Sequence, residues 1–142
     1  MPFQWSDAWL LHAVCAAGGG RATTLASVVA AGDYINHAVL TAAEIRGGVA
    51  RLVAAGHVVV EKAKLRPRGA ALKLWRDLTK KRRRIDTLQT AFEKLLAVEA
   101  TPRPALTGVV PPASWPSEVA VEDACREYLA MAEAASSRRK GR

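Results

Sequence analysis

Between Thr41 and Arg68 the chain reads TAAEIRGGVARLVAAGHVVVEKAKLRPR, a stretch with a defined start, middle and stop. Thr41 and Glu44 stand at the spacing of a capping box: the threonine hydroxyl accepts from the Glu44 N–H, and the glutamate carboxylate accepts from the Thr41 N–H. Ile45, Val49, Leu52 and Val53 then recur at i, i+4, i+7 and i+8, which makes one apolar stripe. Gly56 supplies the left-handed residue at which a helix ends, so the spacing predicts a helix over 42–55. Val58-Val59-Val60 is short and β-branched. From Lys62 the pattern has period two, with Lys62, Lys64 and Arg66 on one face and Ala63 and Leu65 on the other. The expectation is two short strands with a tight reversal near Glu61 and Lys62.

Two helices precede this stretch. Ser6 is the expected cap of the first, with Asp7 favourable at its positive end and Trp5 packing back as a hydrophobic staple. Trp9, Leu10, Ala13 and Val14 form its buried stripe, and Gly18-Gly19-Gly20 stops it. This glycine run is not a phosphate loop, because no strand precedes it and no GK[ST] follows. Thr24 caps a second helix, with Leu25, Val28, Val29 and Ile35 on one face, ending near Asn36-His37. Asp33 to His37 is the most polar local cluster, but it holds no nucleophile and base pair.

The order of two helices, a capped third helix, a glycine and a basic hairpin resembles the winged helix-turn-helix family, most nearly the MarR-type regulators. Thr41-x-x-Glu44, the VARLVAAGHVVVEK run and LRPRG carry the resemblance, which covers about residues 5 to 69. It implies a mainly α fold: a winged helix-turn-helix domain over 1–69, built of three helices and a two-stranded β-wing. It also implies that the Thr41 helix enters a DNA major groove while the hairpin lies along the phosphates.

After Gly69 the chain is free of Gly and Pro for about thirty residues, which predicts one long helix over 70–100. Ala71, Leu78, Ile85 and Phe92 are seven apart, as are Leu74, Lys81, Leu88 and Leu95, giving a heptad seam interrupted at Lys81. A seam of Ala71, Leu74, Leu78, Ile85, Leu88, Phe92 and Leu95 calls for a partner helix, most simply that of a second copy in a C2 homodimer. The alternative is a break at Lys80 to Arg84, with the helix folding back on its own domain. Residues 101–117 form a Pro-rich strap that Trp115 and the Val109-Val110 pair tack onto the core. Ser117 caps a terminal helix to about Ala135, with Val121, Ala124, Cys125, Tyr128 and Ala132 on one face. The basic tail, closing a segment 118–142, is expected to be disordered.

The formal net charge is +8, and its distribution says more than its size. Residues 62–84 hold eleven basic residues against the single Asp77, while the flanking segments each balance to −1. That concentration is the footprint of something that meets a polyanion, with a solvated helix face as the plainer alternative. Double-stranded DNA is the expected partner, reached through Thr41, Arg46, Arg51, Lys62, Lys64, Arg66, Arg68 and the run Lys80, Lys81, Arg82, Arg83, Arg84. Only Arg46 and Arg51 are placed to read base edges, since the outward face of the Thr41 helix is otherwise Ala43, Gly47, Ala50 and Ala54. The DNA reading requires the cations to project from the same side as that face. A second class, a protein-interaction or oligomerisation module using the small-residue face or the heptad seam, stays open.

No motif supplies an enzyme, a cofactor site or a metal cluster, since His12, His37 and His57 are scattered. Cys15 and Cys125 read as small buried hydrophobes rather than a disulfide. No run is long and apolar enough for a membrane span, and the start MPFQWSD lacks the pattern of a signal peptide, so the expected location is cytoplasmic and nucleoid-associated.

Overall fold

The computed structural model describes residues 3–98 and 115–140. It is mainly helical with a small three-stranded antiparallel sheet. The elements run α1 (Trp5–Gly18), β1 (Thr23–Thr24), α2 (Leu25–Asn36), α3 (Ala42–Ala54), β2 (Val58–Glu61), β3 (Lys64–Pro67), α4 (Gly69–Lys80), α5 (Ile85–Val98) and α6 (Glu118–Lys140).

Helix α1 is the centre of the molecule. Ten consecutive residues, Ser6 to Cys15, are buried, so it has no solvated face and its neighbours α2, α3, α5 and β3 surround it. The four-residue stripe expected from the sequence is therefore only part of what it buries. Its cap is Gln4, not Ser6: the Gln4 N–H donates to Asp7 Oδ2 at 2.8 Å, and Ser6 is itself buried inside the helix. Trp9 Nε1 donates to the Gly32 carbonyl at 2.8 Å, which fixes α1 against α2. A Cβ at Gly32 would stand 3.4 Å from that same nitrogen and 3.3 Å from Leu40 Cδ1, so a glycine permits the approach.

The caps legible in the sequence form as expected at three other helices. Thr24 Oγ1 accepts from the Ser27 N–H at 3.2 Å, Thr41 and Glu44 make both bonds of their capping box, and Ser117 Oγ accepts from the Ala120 N–H. At the end of α3, Gly56 has φ +81°, while the His57 and Gly56 N–H groups return to the Leu52 and Val53 carbonyls. That is a Schellman ending, which satisfies carbonyls the helix leaves open.

The sheet has the order β1-β3-β2, one strand more than the hairpin expected. Thr23 and Thr24 pair with Leu65 and Lys64, and Val58 to Glu61 pair with Pro67 to Lys64. A two-residue strand directly before a helix cap offers no periodicity to read. The reversal also lies one residue later than expected, at Lys62-Ala63. Both carry positive φ, 50° and 59°, the backbone of a two-residue primed turn.

The single helix expected over 70–100 is two helices. α4 ends at Lys80, Arg82 adopts φ 51°, and α5 starts at Ile85 and packs on both α1 and α4. Five consecutive cations disfavour helical continuity through like-charge neighbours, and the turn lets Leu88, Phe92 and Leu96 bury against the chain's own core. Ala71 is likewise buried, so Ala71, Leu88 and Phe92 do not form a free seam for a partner helix. Leu74, Leu78 and Leu95 are half-buried, and Ile85 is 37% exposed. Leu96 falls outside the heptad because the buried row follows i, i+4, i+8 along one helix face rather than a coiled-coil repeat.

Helix α6 lies on α2 and α3. Val121 and Ala124 are buried and the Tyr128 hydroxyl donates to Asp33. It runs on as helix to Lys140, past the end expected near Ala135, with Leu129 to Arg138 all exposed, Ala132 among them. Of the strap, Trp115 packs against the core and Pro116 is buried, whereas Val109 and Val110 lie outside the described residues. Both cysteines are free. Cys15 is fully buried, which pushes its thiol up to about 12, and burial also raises Cys125.

Candidate nucleic-acid interface

The β2–β3 hairpin carries one set of cations. Lys62 and Lys64 are exposed at its turn, whereas Leu65, the next residue of β3, is buried. Arg66 is half-exposed and reaches Glu61 Oε1 at 3.3 Å, a surface pair worth little. Arg68 uses its backbone N–H on the His57 carbonyl at 2.8 Å and leaves its side chain exposed.

The two arginines expected to read bases are otherwise engaged. Arg51 forms a bidentate pair with Asp7, Nε to Oδ2 at 2.7 Å and Nη2 to Oδ1 at 2.9 Å, with the Asp7 side chain wholly buried and Arg51 17% exposed. Nothing in sequence spacing announces this pair, because the partners are 44 residues apart. A Cβ at Gly48 would come within 2.6 Å of Leu10 Cδ2 and 3.0 Å of Asp7 Oδ1, so α3 and α1 can approach only over a glycine. Gly47 is overlaid by the Arg51 guanidinium, 3.0 Å from where its Cβ would stand. Arg46 is exposed, but its Nε donates to the Pro116 carbonyl at 3.1 Å, tying α3 to the start of α6. The remaining outward residues of α3, Ala43, Ala50 and Ala54, are exposed and carry no polar group. Thr41 spends its hydroxyl oxygen on the cap.

Lys80 to Arg84 are all exposed in the α4–α5 turn. Lys64 pairs with Thr24, the cap at the start of α2, whereas Arg84 lines a groove with Tyr34 to His37 at the end of α2. That helix of 12 residues is roughly 18 Å long at 1.5 Å per residue, so Lys64 and Arg84 are anchored near its opposite ends. The expectation that all the cations of 62–84 project from one side is therefore not met between Lys64 and Arg84, which leaves the hairpin cations as one set by themselves, with Lys73 and Arg76 exposed on α4.

The groove beside the second cluster has a volume of about 820 Å³. Trp5 and Trp9 come from the start of α1, Tyr34 to His37 from the end of α2, and Arg84, Ile85, Asp86, Gln89 and Thr90 from the start of α5. Trp5 is 60% and Tyr34 72% exposed. Behind it, Gln89 Oε1 accepts from His12 Nδ1 at 2.9 Å, and burial lowers the His12 pKa against the opposing effect of that bond. Sequence reasoning singled out Trp5, the cluster Asp33 to His37 and Arg84 separately, but nothing in it joined them, since the walls of the groove come from helices remote along the chain.

Among the described residues no group of three or more His, Cys, Asp or Glu side chains is placed to hold a metal ion, and no helix is long and apolar enough to cross a membrane. No protein-family model matches the chain, and comparison with curated proteins and with solved structures finds no match.

Proposed function

We infer that the chain is a DNA-binding protein of winged helix-turn-helix type, held to duplex DNA by phosphate contacts of its wing. The observation that carries this reading is the hairpin itself. It follows a capped helix across a Schellman ending, belongs to a sheet of order β1-β3-β2, and projects Lys62 and Lys64 into solvent at a tight turn. The order α1-β1-α2-α3-β2-β3 supports the winged helix-turn-helix assignment and its likeness to MarR-type proteins. With Arg51 held by Asp7 and Arg46 engaged by Pro116, base readout has no supporting side chain on α3, and the reading is of binding indifferent to sequence. Homodimerisation through the heptad seam is not part of it, because Phe92 and Leu88 are spent inside the monomer.

The test is a salt series of binding to random duplex DNA, comparing the parent chain with Lys62→Ala/Lys64→Ala. Each phosphate contact contributes about 0.9 to the slope of log affinity against log salt, so the double variant should lose about two units of slope and bind more weakly at every salt concentration. Unchanged affinity and slope would remove the wing from the interface, and with it this function.

A further inference from the structure

We propose that the groove between α1, α2 and α5 receives unpaired bases of a single-stranded nucleic acid whose phosphates follow the Lys80 to Arg84 turn. The groove is lined by the end of α2 whereas the hairpin pairs with Thr23 and Thr24 ahead of its start, so the proposal stands on the groove alone and survives failure of the duplex reading.

Its walls have the chemistry such a ligand needs. Trp5 and Tyr34 leave most of their rings in water although both belong to helices, and neither is required by the core. Trp5 rests on Trp9 with ring centroids 5.9 Å apart, and Trp9 is held by its bond to the Gly32 carbonyl, so one ring of the floor is in place before any ligand arrives. Flat aromatic faces presented to solvent accept stacked bases of any sequence. Asn36 adds an exposed amide, which donates and accepts and so matches base edges. The volume falls within the roughly 300–1,000 Å³ of ligand-sized clefts.

Charge selects among ligands. Lys80 to Arg83 are exposed and directly precede Arg84 in the chain, and Arg84 lines the groove, which suits a chain of phosphates entering from one side. Asp86 stands 3.7 Å from Arg84 within the same wall, and a carboxylate there disfavours a bare anion sitting in the groove itself. A base inside and phosphates outside satisfy both signs. In a duplex the base faces are stacked on one another and cannot reach the rings, so the ligand is unpaired.

The experiment measures anisotropy of fluorescein-labelled oligo(dT) on the full chain, with a hairpin duplex as the comparison and circular dichroism as the check of fold. Oligo(dT) should bind and quench tryptophan fluorescence. Trp5→Ala and Tyr34→Ala should each weaken it by roughly five- to tenfold or more, the ordinary loss for one stacked base. Tyr34→Phe, which keeps the ring, should bind as the parent does, and Lys62→Ala/Lys64→Ala should weaken the duplex while leaving oligo(dT) unchanged. Should Trp5→Ala fail to fold, the Tyr34→Ala and Tyr34→Phe pair decides alone, because that side chain is outside the core. Parent-like binding of oligo(dT) by Tyr34→Ala overturns the proposal. So does displacement of oligo(dT) by an acidic peptide at equal concentration, which would mark the turn as a surface for any polyanion.

Discussion

Asp7 on α1 and Arg51 on α3 are joined by a two-bond ion pair with the carboxylate sealed from water. Arg51→Ala would leave that carboxylate buried without its counter-charge, held by the Gln4 N–H, and stranding one member of a buried pair costs about 3 kcal/mol or more. Urea unfolding should register that loss, while affinity for duplex DNA stays at the parent value. A large fall in binding with intact stability would instead restore Arg51 to the interface. The legible residues are those whose partners are local: Thr41 with Glu44, Thr24 with Ser27, Ser117 with Ala120. The illegible ones act over long range, as with Arg46 and Pro116 or Tyr128 and Asp33, where no spacing rule connects the two.

At the scale of elements, the β2–β3 turn holds two left-handed residues of which neither is glycine. An L-residue in that conformation costs about 1–2 kcal/mol, and the freer unfolded state of a glycine replacement offsets about 0.5–1 kcal/mol of the relief. Ala63→Gly should therefore raise stability by up to about 1.5 kcal/mol, the difference of those two effects, read as a higher denaturant midpoint at unchanged slope. A lower midpoint would show that the Lys62-Ala63 turn is not the conformation the hairpin keeps. The same scale explains why one long helix is expected and two are found. Helical periodicity between 70 and 98 is real on both sides of the break, but it cannot say whether the apolar row is buried by a partner or by the chain's own α1. Burial of Phe92 and Leu96 against the core decides for the latter. The short strand β1 escapes for a different reason, since its two threonines gain their identity only from pairing with Leu65 and Lys64.

For the molecule as a whole, the consequence of surrounding α1 on every side is that no short contiguous piece of the chain encloses it. The apparent boundary near Gly69 separates the hairpin from the later helices, yet one wall of the central helix is supplied beyond that boundary by α5. A polypeptide ending at Gly69 should then fail to give a cooperative thermal transition and should bind a hydrophobic dye, whereas one ending at Val98 regains part of the lost order. Sharp melting of the shorter piece would mean the first three helices can stand by themselves. Until α5 has been synthesised, the newborn chain carries its most apolar helix with one wall missing, so the burial of α1 is complete only when a segment far downstream of it has left the ribosome.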